Sequence, residues 1–288
     1  MAFKYIISNW IYGDEDIKVT FDRLQRFGYD GIELEGEPTR YDRAQVKALA
    51  KETGIDVLAM AGIYTEQRDL SHTDPETRKK AVQYVKDCCD FMNDLGGEVV
   101  IVVPSEVTRT KPRGVDPTDG DAYFKAFNEE WKLAVDSIHE AGLYAQEKGI
   151  MLAIEPANRY EVLLVLSGAD GLKMMNEVDL PSVKLHLDTF HMHTEDVSPA
   201  QSIRDAKGAL VNFHVADSNR QTPGEGHIDW VGILTALKDI GYERSLSLEP
   251  LPPCADTYLA SNIATFKPFR DTNAKNAIEF LKSIEAKL

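Results

Sequence analysis

The sequence predicts an α/β protein, a single domain over residues 1–288 in which eight parallel strands and their helices close into a (β/α)8 barrel. Three observations carry this prediction. Short apolar runs alternate with amphipathic helical patterns eight times, as in a parallel sheet covered by helices. Glycine ends five of the helical patterns just before the next strand, where a left-handed C-cap belongs. The length is ordinary for one such barrel, and an open doubly wound sheet is the alternative fold.

The eight strand candidates are short, mostly apolar runs. They cover residues 5–8, 31–35, 56–59, 99–103, 151–155, 183–187, 210–215 and 246–249. Pro156 and Pro250 directly follow the fifth and the eighth. Because proline cannot donate to a central ladder of hydrogen bonds, both strands should stop there.

Amphipathic helical patterns separate these strands, at residues 17–27, 41–52, 76–95, 122–148, 169–178, 230–240 and 272–286. Asp74 and Ser198 each place a capping side chain beside a proline, which is a helix-start signal. Residues 108–121 and 250–268 are long polar or mixed loops after strands four and eight. Loops in those positions form the active-site face of a barrel, so we expect lids or partner contacts there.

Composition limits the compartment and the partners. No apolar run approaches the roughly 20 residues that a membrane helix needs, and the N-terminal residues lack the pattern of a signal peptide, so we expect a cytoplasmic protein. The formal net charge is −15 and no lysine or arginine cluster interrupts it, which argues against a nucleic-acid partner. Cys88, Cys89 and Cys254 suggest no disulfide framework, and the first two lie in a helical pattern as packing residues.

Four side chains that can bind a metal each close an apolar run: Glu155, Asp188, His214 and Glu249. Their separations of 33, 26 and 35 residues each fit one βα unit, and the C-terminal ends of barrel strands meet on one face. We therefore expect the four to hold one divalent cation. Three carboxylates and one imidazole favour Mn²⁺, with Mg²⁺ or Co²⁺ as alternatives. Zn²⁺ stays open as a further alternative, although the set contains no thiolate that would select it. The other interpretation is four ordinary strand-end residues in ion pairs.

Three more polar side chains follow these residues closely along the chain. Glu161 comes six residues after the first ligand, His191 three after the second and Arg220 six after the third. They are donors and acceptors suited to sugar hydroxyl and carbonyl oxygens. Taken alone, each of them could equally be an ordinary loop or surface residue. Their common position beside the expected ligands makes them substrate-binding candidates.

The chain resembles the xylose isomerase-like TIM barrel family in four blocks, which read EPANRYE, LDTFHMH, HVADSNRQTPGEGHIDW and LEP. Within that family it is most similar to the ketose 3-epimerases of the D-tagatose and D-psicose type and to the sugar phosphate isomerase/epimerase group. The resemblance is strong over residues 150–250 and topological before them. The sequence departs from the family at His193, where family members commonly have asparagine, and in the atypical loop at 250–268.

The resemblance implies a role for each candidate residue. It implies that the metal is bound by Glu155, Asp188, His214 and Glu249, that Glu155 and Glu249 exchange protons with the substrate, and that Glu161, His191 and Arg220 hold its oxygens. The first half of the chain offers no equally clear match. There, the candidates for shaping the substrate site come only from strand-end or loop position, and they are Trp10, Glu33, Glu35 and Tyr64.

Together these features predict a metal-dependent epimerase or isomerase of a keto sugar, in which Glu155 and Glu249 invert C3 as an acid/base pair through a cis-enediolate. The same chemistry could expel a β-substituent, so a lyase or deglycosidase acting on a 3-keto glycoside is the alternative. A phosphodiester-cleaving enzyme would need more histidine ligands and a basic groove, and a non-catalytic binding barrel is a further hypothesis. No glycine-rich phosphate cradle is present, which favours an unphosphorylated sugar. Apolar residues in the late loops would suit an oligomer, either a dimer or tetramer or an assembly with another subunit, and they suit a lid equally.

Overall fold

The computed structural model describes residues 3–254, 259 and 261–288, and it contains a closed barrel of eight parallel strands. The strands are β1 (Lys4–Ser8), β2 (Gly31–Gly36), β3 (Asp56–Gly62), β4 (Val99–Val102), β5 (Met151–Ile154), β6 (Val183–Asp188), β7 (Leu210–Val215) and β8 (Ser245–Leu248). Each strand pairs with the next, and β8 pairs back with β1. The predicted barrel is therefore confirmed, and the open sheet is wrong.

Nine α-helices lie between and after the strands in the described part of the chain. They are α1 (Ile17–Phe27), α2 (Arg43–Thr53), α3 (Pro75–Leu95), α4 (Gly120–Lys148), α5 (Gly168–Val178), α6 (Thr189–Glu195), α7 (Pro199–Asp205), α8 (Trp230–Asp239) and α9 (Phe269–Glu285). Seven match the predicted helical patterns to within a few residues. The sequence did not predict α6 and α7 as helices, although the capping signal at Ser198 marks the start of α7, where its hydroxyl accepts from the amide of Gln201.

The main hydrophobic core lies between the barrel and its helices, and a smaller one lies inside the barrel. Alternate residues of β4 divide between them. Val100 and Val102 join the larger cluster, whereas Val99 and Ile101 join the smaller one. This is the period of two expected for a strand with both faces buried. The paired cysteines on α3 are fully buried, as packing residues should be.

The inside of the barrel becomes polar on the strands that carry the candidate ligands. His186, Asn212 and Ser247 each lie two residues before one of those ligands, so they point to the same face one layer deeper, and all are buried. Glu33 on β2 joins this layer through a contact with Asn212. The candidate site is therefore supported from below by polar groups. Among the described residues no helix combines the length and apolarity needed to cross a lipid bilayer.

Candidate active site

The four predicted metal ligands converge at the C-terminal rim of the barrel. Asp188 ends β6 and His214 lies in β7, whereas Glu155 and Glu249 come directly after β5 and β8. All four side chains are buried. Nδ1 of His214 lies 3.5 Å from Oε1 of Glu155 and 3.3 Å from Oε2 of Glu249. The convergence expected from strand spacing is thus present in the fold.

Asp188 contacts one arginine and one histidine at this rim. Its Oδ2 lies 3.4 Å from Nη1 of Arg220 and 3.5 Å from Nε2 of His191. Its Oδ1 accepts a hydrogen bond of 2.8 Å from the amide of Phe190, which caps the start of α6. Burial raises the pKa of Asp188, but the charges of His191 and Arg220 outweigh it, so the pKa falls below its usual value and the group stays ionised.

The described residues contain three overlapping groups that could hold a metal ion. In each group the potential ligand atoms lie within 4.8 Å of one another, and the groups are Glu155 with His186 and His214, Glu33 with His214 and Glu249, and Glu155 with Asp188 and His191. Every predicted ligand belongs to at least one group, but no single group contains all four. The structure adds Glu33, His186 and His191 as neighbouring donors.

One buried nitrogen supports a cation site among these residues. Nδ1 of His214 makes no hydrogen bond within the described part of the chain, although it is buried between two carboxylates. A buried polar atom without a partner is costly in a folded protein. A mixed set of carboxylate oxygens and one imidazole nitrogen suits Mn²⁺, Mg²⁺ or Co²⁺. The donor chemistry therefore agrees with a divalent-metal site.

The pKa of Glu249 is set by burial and by charged neighbours of both signs. Burial raises its pKa to about 7, against the lowering effect of His214 and Arg220, while Asp188 and Glu33 raise it further. Its Oε1 accepts from the indole N–H of Trp10, and its Oε2 lies 3.2 Å from Nη2 of Arg220. Both oxygens of this carboxylate are therefore oriented by donors from other parts of the chain, namely the 3₁₀ turn after β1 and the loop after β7.

A cavity of about 340 Å³ is lined by three of the four predicted ligands, Glu155, His214 and Glu249. Its wall includes all three predicted substrate-binding residues, Glu161, His191 and Arg220. Asn158 joins the first two, because its Nδ2 donates to Oε1 of Glu161 at 2.9 Å and lies 2.9 Å from Nδ1 of His191. The structure thus assigns an organising role to Asn158. The EPANRYE block contained this residue, but sequence position alone did not distinguish it.

Arg220 reaches the cavity from an unusual backbone conformation. Its φ is 60°, in the left-handed region that few non-glycine residues adopt. Asp217 stabilises the surrounding turn by accepting from the amide of Gly224 at 2.7 Å and from the indole N–H of Trp230 at 3.0 Å. The carbonyl of Arg220 also accepts from the amide of Leu251 at 2.8 Å. The loops after β7 and β8 are therefore joined at this residue.

The candidates from the first half of the chain divide into two kinds. Trp10 and Tyr64 line the cavity. Glu35 instead pairs with Arg40, and Glu33 lies below the rim against His214. A strand-end position indicates which rim a residue approaches, but it does not reveal whether the side chain reaches the cavity or supports it from behind.

The two long loops and His193 differ in their position relative to the cavity and in how far the structure describes them. The loop after β4 contributes Thr108 to the cavity wall, where its amide donates to the carbonyl of Glu161 at 2.6 Å. His193 packs edge-on against His227, with ring centroids 4.5 Å apart, and is not among the cavity-lining residues. Part of the segment 250–268, namely 255–258 and 260, lies outside the described residues.

Known proteins resemble this chain in sequence and in structure. The family model described as a xylose isomerase-like TIM barrel matches residues 21–284. The D-psicose 3-epimerase of Ruminiclostridium cellulolyticum is 30% identical, over 94% of this chain and 93% of that protein. The 3-dehydro-D-guloside 4-epimerase of Escherichia coli is 28% identical, over 82% of this chain and 87% of that protein.

A solved structure extends the resemblance to the whole barrel. The crystal structure of D-psicose 3-epimerase with D-tagatose from Clostridium cellulolyticum H10 has a TM-score of 0.84 and 25% identity, covering 98% of this chain and 99% of that one. The family model and the sequence relatives both extend well beyond half of the chain. The chain therefore belongs to the xylose isomerase-like TIM barrel family and is an enzyme of the epimerase and isomerase class.

Proposed function

We propose that this enzyme is a divalent-metal-dependent ketose 3-epimerase, which inverts C3 of a keto sugar through a cis-enediolate. The observation that supports this most is the position of Nδ1 of His214, buried without a hydrogen bond in the described chain and flanked by Glu155 and Glu249. Inversion of a carbon beside a carbonyl needs one group to remove a proton and another to return one. Two buried glutamates at one rim meet that need.

Each residue of the cluster has a role in this proposal. Glu155 and Glu249 form the acid/base pair, so that one takes the C3 proton and the other returns a proton to the opposite face. The cation is held by Glu155, Asp188, His214 and Glu249. We expect Mn²⁺ first, with Mg²⁺ or Co²⁺ as alternatives. When bound, it supplies positive charge beside the substrate's carbonyl and hydroxyl oxygens, which lowers the cost of the negative charge that develops there.

The cavity wall supports an uncharged sugar as the substrate. Glu161 offers an acceptor, whereas Arg220 offers N–H donors, and Asn158 orients His191 so that its Nε2 faces Asp188. Glu66 adds a further carboxylate to the wall, whereas Glu106 is paired there with Arg113 at 2.7 Å. The negative charge of Glu66 would repel a phosphorylated sugar, in agreement with the absence of a phosphate cradle in the sequence.

A 3-keto glycoside is the second candidate substrate, with epimerisation or loss of a β-substituent as the outcome. Two observations favour it. One relative is a 3-dehydro-D-guloside 4-epimerase, and the cavity lining includes the apolar residues Ile63, Val103 and Val107, which could contact an aglycone. The same pair of glutamates would serve both reactions, because each begins by removing a proton beside a carbonyl.

Incubation in D₂O separates the two candidates. The metal-loaded protein is incubated with D-fructose, D-tagatose and D-psicose, and separately with a 3-keto glycoside. Deuterium at C3 together with a new epimer supports the ketose 3-epimerase, whereas release of an aglycone or inversion confined to the glycoside supports the second candidate. If EDTA leaves the melting temperature unchanged and no sugar exchanges a proton, the metal-dependent enzyme is excluded, because a bound metal stabilises the native state.

We also propose a cytoplasmic location and an oligomeric assembly, with a dimer or tetramer, or a complex with another subunit, as the forms to test. Light scattering of the purified chain after size-exclusion chromatography measures the mass. A mass of one subunit at all concentrations would contradict self-association.

A further inference from the structure

Glu33 is a buried carboxylate that has no role in the proton transfers described above. It lies in β2, and its side chain is fully buried. A buried carboxylate is costly unless it is paired and hydrogen-bonded. Both of its oxygens have partners on β7: Oε1 lies 2.7 Å from Nε2 of His214, and Oε2 accepts from Nδ2 of Asn212 at 2.8 Å.

These contacts decide which nitrogen of His214 faces the site. An ionised carboxylate only accepts hydrogen bonds, so the hydrogen between Glu33 and Nε2 belongs to the imidazole. The other ring nitrogen, Nδ1, is the atom that lies 3.5 Å from Glu155 and 3.3 Å from Glu249. The ring therefore donates into the barrel through one nitrogen and presents the other toward the acidic cluster.

Asn212 holds the carboxylate of Glu33 in the orientation in which it contacts the imidazole of His214. It lies two residues before His214 on β7, so both side chains point into the barrel, one layer apart. The amide of Asn212 holds one oxygen of Glu33 and leaves the other for the histidine. Two oxygens and two donors on one strand leave this carboxylate little freedom to rotate.

We propose that Glu33 is a positioning residue that holds His214 with its Nε2–H directed into the barrel, so that Nδ1 is available as a metal ligand. The role of Nδ1 rests on the proposed metal site, but the orientation of the ring does not. Outer partners of metal-bound histidines fix the tautomer and ring orientation, and their loss lowers metal affinity by about 10–100-fold. We expect Glu33→Leu to weaken Mn²⁺ binding by about that factor.

The test combines nuclear magnetic resonance with calorimetry. Protein labelled with ¹⁵N-histidine, free of metal, should show a slowly exchanging Nε2–H signal that His214→Asn removes and therefore assigns. Glu33→Leu should lose this signal or bring it into fast exchange with water. Glu35→Gln is the matched control, since Glu35 lies on the same strand but pairs with Arg40, and it should leave the signal and the Mn²⁺ affinity unchanged.

A second variant covers the case in which Glu33→Leu does not fold. Glu33→Gln keeps an acceptor oxygen, so the Nε2–H signal should persist, but it should move upfield because a neutral acceptor binds the proton less strongly. An unmoved signal in either Glu33 variant overturns the proposal. If the unmodified protein binds no metal at all while the signal responds to Glu33 as expected, the metal site fails and the positioning of His214 stands.

Discussion

Glu155 and Glu249 approach the same imidazole nitrogen, Nδ1 of His214, at 3.5 and 3.3 Å. They come from β5 and β8, which are not neighbours in the barrel, since β6 and β7 lie between them. Two carboxylates that reach one point from separate strands can contact different parts of a bound molecule. This placement is the basis for treating them as an acid and a base rather than as one ion-paired cluster.

Glu249→Gln should abolish turnover while keeping some of the metal affinity. The amide retains an oxygen but cannot carry the proton, and general acid–base catalysis contributes about 10²–10⁴-fold to a rate. Deuterium incorporation at C3 and metal content by elemental analysis are the measurements. Glu98→Gln, which breaks an exposed pair with Arg244, is the control and should keep full activity. Residual activity within about tenfold of the unmodified enzyme would contradict the proton-transfer role, given that contribution.

Arg220→Ala should chiefly weaken substrate binding. The guanidinium contacts Asp188 and Glu249 and lies over the ring of Phe190 at 4.6 Å, but it is a donor and cannot itself bind a cation. We expect KM to rise by about 10–100-fold, which corresponds to the loss of one charge-assisted hydrogen bond, with metal content near normal. Arg159→Ala is the control, because that arginine lies in the loop after β5 and its exposed side chain pairs with Glu195. Loss of metal from the Arg220 variant would show that the arginine supports the ligands instead.

Asp69→Asn should destabilise the fold and change its response to acid. Asp69 is fully buried and lies 2.9 Å from Arg109 and 2.7 Å from Arg113. Burial raises its pKa, but hydrogen bonds from Ser71 and the charge of Arg109 outweigh this and hold the pKa below its usual value. Its contribution to stability is therefore complete above the usual carboxyl pKa and is lost as the pH falls through the lowered one.

Urea unfolding as a function of pH measures this effect. Breaking a buried ion pair costs about 3–5 kcal/mol, so a loss of that order is expected for Asp69→Asn at neutral pH. The loss should shrink at acid pH, where the native carboxyl is also neutral. The exposed pair of Glu98 with Arg244 supplies the comparison, since Glu98→Gln should cost less than about 1 kcal/mol. A pH-independent difference between Asp69→Asn and the unmodified protein would contradict the assignment.

His186→Leu should be tolerated. The imidazole is fully buried, and neither of its nitrogens has a hydrogen-bond partner in the described chain. Burial, followed by the charges of His214 and His191, lowers its pKa far below the usual value, so the ring is neutral. Replacing an unpaired buried polar group with an apolar one of similar size is nearly neutral or stabilising. The free energy of unfolding of the metal-free protein should stay within about 1 kcal/mol of the original or rise.

Metal titration of the same variant tests the ligand set. Because the proposed ligands do not include His186, Mn²⁺ affinity should be retained in His186→Leu. A loss of about tenfold or more, the range seen for lost metal contacts, would instead make this histidine part of the site. His186 is close enough to the site to be a ligand, because its Nε2 lies 3.6 Å from Oε1 of Glu155. The metal affinity of this variant therefore distinguishes a ligand from a neighbouring residue that does not bind the metal.

The second half of the barrel was predictable because the strand ends there are marked by prolines and by side chains that can bind a metal. Pro156 and Pro250 fix where β5 and β8 stop, and the residue before each proline is a glutamate. Once the ends are known, barrel closure alone brings side chains from different strands to one rim. That reasoning predicted that Glu155 and Glu249 lie at the same rim, and the structure places both residues there.

The first half was less predictable because its contribution depends on side-chain direction. Trp10 follows β1 in a short 3₁₀ turn, and its contact with Glu249 joins residues that are 239 positions apart. No local pattern encodes such a contact. Likewise α6 and α7 are seven residues each, which is too short for an amphipathic repeat to be visible.

The hydrogen bond from the amide of Leu251 to the carbonyl of Arg220 links this proposed substrate-binding residue to the segment that follows β8. Arg220 has a left-handed backbone, its carbonyl accepts from Leu251, and the same residue lines the cavity. For enzyme engineering, this means that the last loop cannot be exchanged as an independent module. A graft after Pro250 that removed this hydrogen bond would change the position of Arg220. We expect the preference among sugars to change together with the shape of the cavity entrance.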